Sequence, residues 1–352
     1  GNVGAWLDGL APQDEEYRRL SEAYVAATAE AGRRLEPIPE GGSIRPGASD
    51  PRVPAIAAAL RARGYLPAPP QGEDPAQPQA GAGNGYSAEM ADAVRRLQED
   101  HGLEPTAIVD AATLASLNQS AVDRARILAV NLERRRWLPR EAPANRIDVN
   151  IAAASLDYWR DGRIADRRRV VVGQPTNETP ELASPIFRLV ANPTWTVPES
   201  IAEEEILPKG ESYLRRNRMV MRDGRIVQES GPQNSLGEVK FDMRNDQAIY
   251  LHDTPAKSLF GEAQRHRSHG CVRVHDALGF AAMIAEQEGV ADDWREALAT
   301  GEETFVALPR EIPVRLLYHS AFVDGGRIRF AAGPYGLGEE GAQAPGAGAR
   351  PR

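Results

Sequence analysis

At Pro143 the apolar rhythm of this 352-residue chain changes, and no other feature limits its fold as much. Before that point apolar residues recur at steps of three and four, as in amphipathic helices; after it they alternate around Asp-Gly pairs, as in strands joined by hairpin turns. A chain with both rhythms in separate blocks is expected to be an α+β multidomain protein, and its length exceeds what one core usually serves.

In the helical half, Tyr17, Leu20, Tyr24, Ala27 and Ala31 form one stripe over residues 14–31, and Gly32 is a stop. Residues 36–47, rich in Pro and Gly, lead to a helix opened by Asp50 as cap and Pro51 as first residue, with Val53, Ile56 and Leu60 on one face before Gly64. From 67 to 85 the chain is almost entirely Pro, Ala, Gly, Gln and acidic residues, so a flexible loop is expected. Helix resumes after Ser87 with Met90, Ala93, Val94 and Leu97 and ends at Gly102; a short one capped by Asp110 follows over 110–117. A last helix, 121–137, offers Ile127, Leu128, Val130, Asn131, Leu132 and Trp137 and is expected to pair with 14–31. That pairing makes 50–118 a three-helix module inserted into an all-α scaffold of residues 1–49 and 119–142. Arg134, Arg135 and Arg136 read as a solvated helix end, where cations are favoured.

After Pro143, strands are expected at 146–151, 156–159, 169–172, 186–191, 218–222, 239–243, 248–251, 304–308 and 314–318, with hairpin turns at Asp161-Gly162 and Asp223-Gly224. A last hairpin spans 322–330, and one clear helix covers 275–288. This β-rich domain is expected to run over 143–336, interrupted by a long excursion at about 198–237. The tail 337–352, mostly Gly, Ala and Pro, is expected to be disordered.

A net charge of -8 argues against a nucleic-acid partner, which would call for a basic face. No apolar run approaches the roughly 20 residues of a spanning helix. Starting at Gly1, the sequence is expected to be a mature or trimmed chain.

Chemistry concentrates in residues 248–274, which hold the sole cysteine, Cys271, and three of six histidines, His252, His266 and His269. A thiol becomes a nucleophile as the thiolate, and a neighbouring imidazole promotes that form. Gly270 permits a turn whose amides face a developing oxyanion. Three other readings stand beside this one. A lone cysteine is often a small buried hydrophobe. His-x-x-His-Gly-Cys could ligate zinc, though no second cysteine exists for a knuckle. A papain-like site would place its histidine over a hundred residues after the cysteine, further than this chain extends.

His252, fifteen intervening residues and then Ser268-His269-Gly270-Cys271 resemble the signature of the L,D-transpeptidase (YkuD) catalytic domain of bacterial cell-wall enzymes. Ile249-Tyr-Leu-His-Asp-Thr-Pro255, Lys257-Ser-Leu-Phe260, Asn192-Pro-Thr-Trp-Thr-Val-Pro198, Ile206-Leu-Pro-Lys209 and Asn234-Ser-Leu-Gly237 resemble its large Gram-negative members. Gly64-Tyr65-Leu66, the Val94 to Leu103 pattern and Asp110-x-x-Thr113-Leu114 resemble the type-one peptidoglycan-binding domain. The resemblance implies Cys271 as nucleophile and His252 as base, acting on stem tetrapeptides as donor and acceptor. It implies Gly270, His269, Tyr250 and Ser268 as residues that hold the oxyanion or shape the site, and Arg273, Trp195 and Asn192 as substrate contacts. It further implies a capping segment over the cleft at about 198–237, inhibition by carbapenems, a periplasmic setting with or without an inner-membrane anchor, and no metal or organic cofactor. Water or a protein amine as acceptor, and a wall-binding protein without catalysis, are the alternatives.

Overall fold

A computed structural model describes residues 9, 11–32, 36–68, 83–331 and 333–336. The chain divides into two compact units, residues 1–141 with 319–352, and residues 142–318. The expected loop at 67–85 lies largely outside the described residues, and the tail 337–352 entirely so.

In the helical unit, α1 (Glu15–Glu30) begins where the Asp14 carboxylate accepts the Tyr17 amide at 2.9 Å. Its stripe of Tyr17, Leu20 and Ala27 is buried against Leu128 and Leu132 of the later helix 121–136, as expected. Tyr24, placed on the same stripe, is instead exposed, and Ala23 beside it packs against the partner helix in its place. The inserted module has its own core. Helices α2 (Val53–Ala62), α3 (Ala88–Asp100) and α4 (Ala111–Asn118) bury Ile56, Leu60, Val94, Leu97, Leu114 and Leu117 together. α2 starts later than Asp50-Pro51 suggests: the Asp50 carboxylate accepts the Arg52 amide and holds a turn, and the second proline, Pro54, falls in the first helical turn.

α5 (Ala121–Arg136) opens with a capping box between Ser120 and Asp123. Its basic end is solvated only in part, Arg136 being exposed. Arg135 is largely buried and pairs with Glu16 of α1, and the Arg136 Nε donates to the Tyr17 hydroxyl at 2.8 Å, so the run joins the two helices. A second difference concerns the terminal hairpin, Ala321–Asp324 with Arg327–Phe330. It belongs to the helical unit and not to a domain ending at 336, because Ala321, Val323, Ile328 and Phe330 pack on the α1–α5 pair.

The second unit is built on an 11-stranded sheet, largely antiparallel. Asp161 and Gly162 both adopt positive φ between β2 (Ser155–Arg160) and β3 (Arg163–Gly173), as a two-residue hairpin turn requires. The strands that matter for the site lie side by side: β5 (Ile186–Ala191), β9 (Val239–Met243), β10 (Leu251–His252), β12 (Val272–Val274) and β3. One face of these strands is closed by a helix, Ala277–Gln287, whose Phe280 ring meets Phe241 at 5.5 Å and Tyr158 at 5.6 Å. A further helix, Ala291–Ala299, is an addition to the single one expected; only Trp294 and Ala297 of it are buried, too few to mark a stripe.

Between β5 and β9 the excursion is a small folded layer. Strands β6 (Trp195–Thr196), β7 (Met219–Arg222) and β8 (Arg225–Gln228) pair around Val197, Ile206, Met219 and Ile226, and the helical run between β6 and β7 contains a π-turn, Ala202–Ile206.

Candidate active site

The site follows from one parallel strand pairing. β10 lies beside β12 with Leu251 opposite Val272 and His252 opposite Arg273. Successive side chains of a strand point to opposite faces, so Leu251, Val272 and Val274 enter the core with Phe241 while His252 and Arg273 share the other face. Tyr250 and Cys271, one residue before each pair, flank them there, and the Tyr250 side chain reaches the thiol. On the far side of β10, β9 puts Lys240 opposite His252, with its ammonium 4.4 Å from the Tyr250 ring centroid.

The turn that presents Cys271 is closed by hydrogen bonds. The Ser268 hydroxyl donates to the Cys271 carbonyl at 2.6 Å and accepts the Gly270 amide at 3.2 Å. The Thr179 hydroxyl donates to the Gly270 carbonyl at 2.7 Å and accepts the Gly173 amide at 2.8 Å. Gly270 sits at φ 110°, a conformation that side chains disfavour, which is why the residue before the thiol is glycine. Ser268 therefore bridges the two ends of the turn. The Gly270 amide does not face an oxyanion, since Ser268 already occupies it. No acceptor is present for the Cys271 amide among the described residues, which leaves it as the open donor next to the thiol.

His252 is buried, and its Nδ1 lies 2.5 Å from the Asp253 carbonyl. Burial and the Arg273 guanidinium push its pKa down to about 3, against the pull of the Asp253 and Leu236 carbonyls. Burial likewise pushes the Cys271 thiol up, opposed by Tyr250, Lys240 and Arg273. The resting pair at neutral pH is thus thiol and neutral imidazole. In this state the thiol points at the Ala248 carbonyl, 3.6 Å away, and no hydrogen bond joins it to His252; such contacts often tighten only with substrate bound. Arg273 has no acceptor among the described residues, and its Nε is buried and unsatisfied.

The remaining expected residues divide. His269 turns to the folded layer between β5 and β9, where its Nε2 lies 2.6 Å from Glu205 in the π-turn. Trp195, at the start of that layer, has its side chain near the Tyr250 hydroxyl. Asn192 is not a substrate contact. Its Nδ2 donates to the carbonyls of Leu298 at 3.0 Å and Ala297 at 3.3 Å, satisfying the end of the helix Ala291–Ala299, and its backbone is held at φ 47°. Sequence reasoning missed Lys240, Asp253 and Glu205. Lys240 had a signal, since a lone cation between the apolar Val239 and Phe241 on a strand beside the His252 strand must face its side.

Residues 144–292 match the model described as "L,D-transpeptidase catalytic domain", and residues 49–117 match that of a "Putative peptidoglycan binding domain". A curated protein of Haemophilus influenzae, named "Putative L,D-transpeptidase", is 31% identical over 225 residues, which are 57% of this chain and 46% of that protein's length. The chain thus spans under half of this relative. Among solved structures, an L,D-transpeptidase from Xylanimonas cellulosilytica (residues 123–326) is 16% identical, covering 79% of this chain and 99% of that one at a TM-score of 0.28. Another, from Stackebrandtia nassauensis, is 12% identical, covering 81% and 97% at a TM-score of 0.30. Residues 144–292 of this chain are an L,D-transpeptidase catalytic domain of the YkuD family, carried together with a peptidoglycan-binding-type domain at 49–117.

Proposed function

We propose that the protein is a peptidoglycan L,D-transpeptidase that joins the third residues of two stem peptides through a thioester on Cys271. The observation that carries this reading is the shared sheet face of Cys271, His252, Tyr250 and Arg273, set by the β10–β12 register. His252 takes the thiol proton as the sulfur attacks the carbonyl of the donor's third residue, and the ion pair so formed replaces the neutral resting pair. The Cys271 amide and the Tyr250 hydroxyl hold the oxyanion. Collapse breaks the bond to the terminal D-alanine, whose nitrogen receives the proton from His252. The acceptor amine then attacks the thioester, gives its proton to His252, and releases the thiolate, which is reprotonated. Arg273, an unpaired cation beside the thiol, pairs with a carboxylate of the stem. The domain at 49–117 holds the wall nearby, and such a substrate places the protein in the periplasm.

Intact-mass analysis with a carbapenem, run beside Cys271→Ala, tests the nucleophile: an adduct is expected only on the unchanged protein. Disaccharide-tetrapeptide turnover on the same sample is expected to give dimers. Tripeptide products alone would make water the acceptor, and no adduct with no turnover would leave only wall binding.

A further inference from the structure

The Asp253 side chain has no part in the chemistry above, yet it is almost fully buried beside the base. Its backbone carbonyl meets the His252 ring, and its amide donates to the Val239 carbonyl at 2.9 Å. Its carboxylate points the other way, to the end of the folded layer. There Oδ2 accepts the Glu238 amide at 3.2 Å, and Oδ1 pairs with the half-exposed Lys257. Gly237 approaches so closely that a Cβ on it would lie 2.3 Å from Oδ2, and its φ of 65° also favours glycine. Leu236, one residue earlier, offers its carbonyl to the His252 ring. The return of the folded layer into β9 is therefore pressed between Asp253 and the base.

We propose that the Asp253 carboxylate is a positioning residue: by seating residues 236–238 it holds the Leu236 carbonyl against the His252 ring, so that the folded layer completes the surroundings of the base. Both the Asp253 carbonyl, on Nδ1, and the Leu236 backbone favour the protonated form of the ring. Arg273 on β12 and Lys240 on β9 face it with positive charge and oppose that form, and the Tyr250 ring stands edge-on at 5.6 Å. Without the Leu236 carbonyl the two cations and burial act with one fewer counterweight, and the imidazolium–thiolate pair is harder to reach.

The inference rests on His252 acting as the base toward Cys271, but its test needs no cell-wall substrate. Alkylation of Cys271 by iodoacetamide is followed from pH 6 to 10 in the full chain and in Asp253→Ala, Asp253→Asn and His252→Ala, with thermal unfolding of each. Asp253→Ala is expected to react about tenfold more slowly at neutral pH, the order of one hydrogen bond to a charged group, with its profile moved up toward that of His252→Ala. Asp253→Asn keeps an oxygen for the Glu238 amide and is expected within about threefold of the unchanged protein. If Asp253→Ala does not fold, Asp253→Leu, close in shape and lacking an acceptor, takes its place. An unchanged rate and profile in the variant without an acceptor overturns the proposal, as does an equal fall in Asp253→Asn. Carbapenem acylation of the unchanged protein is scored separately, and its absence would count against the transpeptidase reading alone.

Discussion

Asp100 in the helical unit is a buried charge and Arg273 of β12 a half-buried one, and their surroundings differ in what the chain supplies. Asp100, at the end of α3, is held by Arg327 and by Arg329 at 2.7 Å, and accepts the Tyr65 hydroxyl at 2.9 Å. Arg273 is left without an acceptor. A buried charge is costly unless paired. The first cluster pairs its carboxylate with two guanidinium groups of the terminal hairpin and so ties that hairpin to the inserted module, although the Arg329 Nε stays unsatisfied; Arg273 has no carboxylate partner among the described residues. The two buried histidines repeat the contrast. His101 is covered by Phe330, stacked at 5.5 Å, whereas His252 has the Tyr250 ring edge-on at 5.6 Å and lies on the sheet face that Arg273 shares.

The largest effect that would break this comparison is on stability. Asp100→Ala strands two guanidinium groups and a hydroxyl, and is expected to destabilise the helical unit by about 3–5 kcal/mol while leaving alkylation of Cys271 unchanged. Denaturant unfolding beside thiol kinetics checks both halves; a thiol that slowed in step would show that Asp100 is not purely structural.

Next in size is the acid response of His101. Burial, with Arg63 and Arg124 adding to it, lowers its pKa to about 4 from an ordinary value near 6.5. The unfolded chain then binds more protons, so stability is full above about 6.5 and is lost as pH falls toward about 4, by about 3 kcal/mol. His101→Phe is expected to flatten that part of a pH series of melting temperatures. His252 has the same sign with a window reaching about 3, so the catalytic domain keeps its own acid loss.

The smallest change in free energy is expected at Arg273. Arg273→Ala should lower kcat/KM for tetrapeptide by about tenfold to a hundredfold through a lost charge-assisted contact. Its melting temperature should hold or rise, since a guanidinium whose Nε is buried and unsatisfied is removed. A clear loss of stability instead would mean that Arg273 has a partner within the fold, and the contrast with Asp100 would disappear.

Much of the site was legible in the sequence because its chemistry is packed into residues 248–274 and because the turn around Gly270 needs its own residue types. The helices of the first half were also legible, since Ser87, Asp110 and Ser120 cap where their side chains reach the third amide onward. What escaped notice depends on distant pairs. Asn192 stands in a motif beside Trp195, yet its amide is spent on Leu298 more than a hundred residues later. The Gly270 amide is spent on a serine two residues away, which spacing alone does not reveal. Nothing local marks Glu16 as the partner of Arg135, so the sequence alone suggests a solvated side chain there.

The sequence by itself determined the kinds of elements and the chemical groups: periodicity is a local property, and cysteine, histidine and glycine in one short stretch carry their reactivity wherever the chain goes. Tertiary structure alone decided which groups are free to act. The parallel register of β10 and β12 puts His252 level with Arg273, and the return of the folded layer into β9 sets Gly237 against the Asp253 carboxylate. Pairing satisfies some buried donors and leaves others open, and that outcome depends on residues far apart in the chain.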